Sequence, residues 1–104
     1  MTDKFDVLLL IKEHYHLACT NSKSLEGYDS TNFKVITDNG TFLLKIYQDE
    51  PGLEELLDAE NKILLLLNNK LPGYFSNPIA NVRQELVTII QTNGGETIFL
   101  RLLT

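Results

Sequence analysis

Cysteine is nearly absent: Cys19 stands alone in 104 residues, so no intrachain disulfide can form, and a zinc site built on cysteines is excluded in practice. A lone cysteine fits a reducing compartment, and a cytoplasmic location is the expectation. Tryptophan is missing and there is one methionine, so the core must be aliphatic with a few Phe and Tyr. Cations are scarce, with 9 Lys and Arg against 14 Asp and Glu, a formal net charge of −5. No basic cluster offsets that deficit, which argues against nucleic acid or an anionic membrane as partner. The longest early apolar run, Val7-Leu8-Leu9-Leu10-Ile11, is too short to span a bilayer and lacks the basic start of a signal peptide. Neither a G-x-G-x-x-G run nor a Walker motif occurs. His14 and His16, one residue apart at the end of a helix-like segment, make poor metal geometry, and no metal-binding set is read. The acids Asp49, Glu50, Glu54, Glu55 and Asp58 lack calcium-loop spacing and read as helix N-terminal charge and solvated face. Asn39-Gly40-Thr41 matches a glycosylation sequon but carries little weight without an export signal.

What is present reads as one α+β domain over residues 1–104. Residues 3–18 are predicted as a helix, with Thr2 as N-cap, Asp3 in the first turn, and Phe5, Leu8, Leu9 and Ile11 as its apolar side. Asn21-Ser22-Lys23-Ser24 reads as a polar break, and Leu25 to Ser30 as a further short strand and turn. Residues 31–37 and 41–47 read as two strands around Asp38-Asn39-Gly40, where Asn-Gly signals a type I′ hairpin. Glu85–Thr92 and Thr97–Leu103, around Asn93-Gly94-Gly95, read as a second hairpin. Between the hairpins a helix runs from about Leu53 to Lys70, opened by Pro51-Gly52 and closed by Leu71-Pro72-Gly73. Residues 71–84 read as a loop. The fold class is therefore an antiparallel sheet of about five strands, with an N-terminal helix and one helix between the third and fourth strands.

Two charges stand where charge is costly. Lys45 interrupts Phe42-Leu43-Leu44-Lys45-Ile46-Tyr47, a strand apolar on both faces. Projected at 100° per residue, Leu53, Leu56, Leu57, Ile63, Leu64 and Leu67 form one stripe of the second helix, with Glu60 near its centre and Asp58, Asn61 and Lys62 elsewhere. Buried charges need partners, so an ion pair of Lys45 with Glu60 is expected, with Glu55 and Asp58 as alternatives. The competing picture has Lys45 snorkelling off the sheet and Glu60 on the rim of a broad stripe. Beside the pair runs Ser24-Leu25-Glu26-Gly27-Tyr28-Asp29-Ser30-Thr31-Asn32-Phe33, a hydroxyl-rich turn in which Ser30, Thr31 and Asn32 could donate to a phosphate; an ordinary β-turn would look the same.

The run Leu25 to Val35, then Gly40 to Ile46, then Glu60 to Leu67, resembles the N-terminal lobe of aminoglycoside phosphotransferase-like kinases. Within that group it is most similar to hydroxylysine kinase-like proteins and to the kinase-like domains fused to class III aminotransferases. The resemblance covers nearly the whole chain, and rests on order and spacing rather than on one motif. It implies that Lys45 contacts the α and β phosphates of ATP and that Glu60 orients Lys45. It also implies that the turn with Gly27, Tyr28, Ser30 and Asn32 covers the phosphates, and that backbone near Leu102 and Leu103 meets adenine. The family's base aspartate and Mg²⁺ ligands belong to a C-terminal lobe that has no counterpart in this sequence. The expectation is a partial domain, inactive alone, whose parent is a small-molecule kinase using ATP and Mg²⁺. PLP enters only where the parent carries an aminotransferase. The alternative is a non-catalytic interaction domain of the same shape. A second kinase lobe, or a second copy of the chain, is the expected partner, meeting apolar surface around Leu100, Leu102 and Leu103 or the edge of the terminal strand.

Overall fold

The computed structural model describes residues 6–25 and 30–104. Among these described residues, two helices and six strands follow in the order α1 (Val7–Tyr15), β1 (Cys19–Leu25), β2 (Thr31–Thr37), β3 (Gly40–Gln48), α2 (Leu53–Lys70), β4 (Pro78–Ile79), β5 (Thr88–Gln91) and β6 (Thr97–Leu103). The strands form one antiparallel sheet, ordered β1-β2-β3-β6-β4, with β5 also paired to β6. The α+β class and the helix between the third and fourth strands are as the sequence predicts; the sheet has one strand more. No described helix is long and apolar enough to cross a membrane.

Helix α1 is shorter than expected. Asp6 caps it, its carboxylate accepting from Leu9 N at 3.2 Å. It stops at His16, whose φ of 53° is left-handed and whose N–H returns to Lys12 O. The expected cap Thr2, with Asp3 and Phe5, lies outside the described residues. Val7, Ile11 and Tyr15, four apart, are its buried side. They pack on Phe33, Val35, Leu44, Ile46, Ile98, Leu100 and Leu102, the main core.

The polar break at 21–24 is in fact part of strand β1. Paired only to β2, β1 is an edge strand with little to bury, so hydroxyls and a lysine serve where apolar alternation would mark an inner strand. In the β2–β3 hairpin Thr37 pairs with Gly40, so Asp38 and Asn39 are the central residues, and neither has positive φ. The positive φ, 125°, falls on Gly40 instead, so the turn is not the expected type I′. Thr37 Oγ1 fixes it, donating to Gly40 O and accepting from Asn39 N.

The terminal strand is not an edge. β6 has β3 on one side, and β4 and β5 in succession on the other. Leu100, Leu102 and Leu103 are buried, so neither the exposed apolar surface expected there nor edge pairing by this strand is available. β4 arises from the stretch read as pure loop, and seats Pro78 against Leu103.

Helix α2 lies on the face opposite α1. Leu53, Leu57 and Asn61 are its buried residues, and Leu53 and Leu57 pack with Tyr47 and Phe99 in a second, smaller core. The helix is rotated relative to the projected stripe: Leu56 and Ile63 are exposed, whereas Asn61 is 2% exposed.

Candidate functional site

Strand pairing sorts the side chains into two faces. Phe33, Leu44, Ile46, Leu100 and Leu102 face α1. Asn32 stands opposite Lys45, Lys45 opposite Arg101, and Leu43 opposite Leu103, all on the α2 face. On the same face of the β1–β2 half, Leu25 pairs with Asn32 and Lys23 with Lys34. Helix α2 covers the β3–β6 half of this face. The β1–β2 half is open at Lys23, Lys34 and Leu25, all exposed, whereas Asn32 is buried. Lys45 sits between the halves, half-buried.

Arg101 is the centre of the covered half. It is 3% exposed, and its guanidinium meets three acceptors: Asn61 Oδ1 at 3.0 Å, Tyr47 Oη at 3.0 Å and Glu60 Oε1 at 2.9 Å. The last is an ion pair between a buried guanidinium and a carboxylate whose side chain is 43% exposed. Satisfaction is incomplete among the described residues: Arg101 Nε and Asn61 Nδ2 are buried without a hydrogen-bond partner.

Glu60 therefore pairs with Arg101 rather than with Lys45, and among the described residues Lys45 makes no ion pair. The physical reason is burial. A guanidinium enclosed at this depth, always charged, is costly to bury without a carboxylate, whereas a half-exposed ammonium is solvated by water. The alternative partners Glu55 and Asp58 point to solvent. The Lys45 ammonium lies 5.9 Å from the Tyr47 ring centroid, and the Arg101 guanidinium lies 5.7 Å from the same ring.

Of the other expected site residues, Asn32 is placed directly beside Lys45 by the ladder, and Ser30 Oγ donates to Asn32 Oδ1 at 2.6 Å. That bond occupies the amide oxygen and turns the amide's donor side away from Ser30. Gly27 and Tyr28 lie outside the described residues. Leu102 points into the α1 core, and Leu103 onto the α2 face. Both are flanked by β3 and β4, so their backbone belongs to the sheet and is not a free edge for adenine. Thr104 N is likewise engaged, by Asn77 O at 3.0 Å.

Sequence reasoning missed Arg101, Asn61 and Tyr47 as site residues. A signal for Arg101 was present: it is the lone charge in Ile98-Phe99-Leu100-Arg101-Leu102-Leu103, the same pattern that singled out Lys45. Away from this face, an open groove of about 1150 Å³ runs between α1 and the start of β1, lined by Leu8, Leu9, Lys12 and His16 among others. It shares no residue with the Lys45–Arg101 cluster. Among the described residues no group of three or more His, Cys, Asp or Glu side chains is placed to hold a metal ion.

No family model matches the chain, and no curated protein matches it. A solved structure does: the crystal structure of spectinomycin phosphotransferase APH(9)-Ia in complex with ADP and spectinomycin, with a TM-score of 0.63 at 15% sequence identity. The likeness covers 92% of this chain, which spans 28% of the length of that one. The chain thus has the kinase-like α+β lobe fold found in an aminoglycoside phosphotransferase.

Proposed function

We propose that this chain is the nucleotide-binding lobe of a small-molecule phosphotransferase, and that it binds ATP on the open half of the sheet face. The observation that carries this reading is Lys45: a half-buried cation without an anionic partner among the described residues, at the border between open sheet and α2. A polyphosphate supplies the missing charge. The phosphotransferase that shares the fold was solved with ADP. Asn32 lies beside Lys45, with Ser30 bonded to its amide oxygen. Leu25 and Leu43 offer apolar surface on the same face for a nucleobase, with the buried Leu103 beside Leu43. Lys45 would meet the phosphates, and the turn with Gly27 and Tyr28 would cover them.

The described residues fit Mg²⁺ poorly, since no carboxylate cluster is present. A metal would depend on ligands from a second lobe, together with the base for phosphoryl transfer. The chain alone would therefore bind nucleotide without turning it over. A second kinase lobe is the partner we propose. Kinship with hydroxylysine kinase-like proteins or with aminotransferase fusions, and with it any role for PLP, rests on the sequence resemblance alone. The reading as an interaction domain draws on one feature, the exposed apolar residues Leu56, Ile63 and Leu66 on the outer side of α2.

Calorimetry with Mg·ATP up to millimolar concentration, on the wild type and on Lys45→Ala, tests the proposal. Weak binding that is lost in Lys45→Ala supports it. Binding of equal strength in both would remove Lys45 as the phosphate contact and favour the interaction domain.

A further inference from the structure

We infer that Arg101 is the positioning residue of this nucleotide site: it holds Glu60 and helix α2 against the sheet, and Lys45 meets the ligand's phosphates without a carboxylate of its own. The inference rests on the nucleotide-binding reading above and assigns a role within that site.

Three observations carry it. The first is the competition for Glu60. Lys45 and Arg101 are directly opposite in the β3–β6 ladder, so two cations rise side by side towards α2. Like charges so placed repel unless an anion lies between them. Glu60 is bonded to Arg101, the more buried of the two.

The second is the number of elements that Arg101 joins. From its seat in β6 it reaches Asn61 and Glu60 on α2, and Tyr47 on β3. Adjacent residues of the helix thus grip a single planar fork. A guanidinium can satisfy that arrangement; a lysine in its place has one nitrogen and cannot reach all three acceptors at their present positions. Helix α2 otherwise meets the sheet through few buried side chains, Leu53 and Leu57 towards its N-terminal end. Arg101 and Asn61 extend that contact towards the middle of the helix.

The third is what remains for Lys45. Its neighbours on the face are Asn32 across one ladder, Arg101 across the other, and the Tyr47 ring 5.9 Å away. Among the described residues, the charged side chain directly across the β3–β6 ladder is therefore another cation, whose carboxylate partner is Glu60. Among the described residues, no carboxylate has to be displaced for a phosphate to reach Lys45. The position of α2, and with it the wall of the site, is set by Arg101 whether or not Lys45 is occupied.

The test is a pair of mutant cycles on Mg·ATP affinity, joined to hydrogen exchange across Leu53–Lys70. Lys45→Ala is expected to weaken binding by the same factor, within about twofold, in the wild type and in Glu60→Gln. Arg101→Gln and Glu60→Gln are expected to be strongly non-additive. Arg101→Lys is expected not to restore affinity. Exchange in α2 should rise in Arg101→Gln and stay at the wild-type rate in Lys45→Ala. A Lys45–Glu60 cycle coupled by tenfold or more would overturn the inference, as would α2 exchange that responds to Lys45→Ala as it does to Arg101→Gln. The failure of the nucleotide-binding reading looks different: no wild-type binding at any concentration. The exchange experiment still decides in that case whether Arg101 or Lys45 holds the helix. Lys45→Ala and Glu60→Gln alter side chains with solvent access, so they keep the test open should Arg101→Gln not fold.

Discussion

Tyr15 Oη lies 3.3 Å from Thr88 Oγ1, joining the last turn of α1 to strand β5 across 73 positions of sequence. Thr88 Oγ1 also accepts from Asn81 Nδ2 at 2.9 Å, so a hydroxyl and an amide meet on one buried oxygen. This polar knot stands at the border of the main core, on the side of the sheet away from Lys45. Removing the phenol oxygen in Tyr15→Phe leaves Thr88 its bond to Asn81, so the expected cost is modest, about 0.5–1.5 kcal/mol by urea denaturation. A cost above about 3 kcal/mol would mean that the ring had lost its packing as well.

The same residue gives the protein an alkaline limit. Burial raises the Tyr15 pKa above 10.0, and the hydrogen bond to Thr88 offsets this in part. Its unfolded pKa is then the lower of the two. Above it the unfolded chain has released a proton that the folded chain retains, so stability falls as pH rises. The contribution is fully present below pH 10.0 and is lost as the pH climbs from there through the folded value. Urea midpoints at about pH 8 and pH 11 should differ more in the wild type than in Tyr15→Phe. An equal drop in both proteins would assign the alkaline loss to other groups.

Asn81 should matter more than its place in a long connection suggests. Its Oδ1 accepts from the N–H groups of Arg83 and Glu85, its Nδ2 holds Thr88, and its own N–H bonds Glu85 O. The next residue, Val82, donates to His14 O on α1. Asn81→Ala deletes the side-chain bonds and leaves two backbone donors to find new partners. The expected loss is about 2–3 kcal/mol. Asn81→Asp keeps the acceptors but gives up the donor to Thr88 and buries a charge, so it should rescue little. Full stability in either variant would show that this turn folds without its side-chain bonds.

Lys23 and Lys34 face each other across β1 and β2, both exposed on the open half of the sheet. Exchanging one for an acid replaces repulsion with attraction. Lys34→Glu should stabilise the fold by about 0.2–1 kcal/mol at low salt. About 1 M NaCl should shrink the gain towards zero. A rise in the urea midpoint without a change in slope is the expected signature. A lower midpoint would mean that the two strands are not paired in this register.

Much of the architecture was legible because its residues obey local rules. Thr31–Thr37 and Phe42–Tyr47 are rich in β-branched and aromatic residues, and Leu53–Lys70 keeps helical spacing between a Pro-Gly start and a Pro-Gly stop. Strand β1 was not legible, since an edge strand needs little apolar surface and Asn21-Ser22-Lys23-Ser24 resembles a loop. At the site, Lys45 and Glu60 stood out because a charge in an apolar element demands explanation. Which charges pair could not be read from the chain, because that depends on the rotation of α2 and on how deep each cation lies. Asn61 shows the difficulty: a polar residue one step from Glu60, it is buried only because Arg101 supplies a donor to its oxygen.

That rotation of α2 gives a last prediction. Leu57 is 1% exposed and packs with Tyr47 and Phe99, whereas Leu56, its neighbour in sequence, is 55% exposed. The periodicity of the sequence puts both on one stripe; the structure separates them. Leu57→Ala removes core contacts and leaves a cavity, at an expected cost of about 2–5 kcal/mol. Leu56→Gln changes a side chain already in water, and the two residues have similar helix propensity, so its effect should stay within about 0.5 kcal/mol. Ile63, 56% exposed, should behave like Leu56 when replaced by Gln. The comparison is internal to one helix and needs only denaturation midpoints. Equal costs at Leu56 and Leu57 would mean that α2 sits on the sheet by the broad stripe. Asn61 would then turn away from Arg101, and the buried cluster around the guanidinium would have to be redrawn.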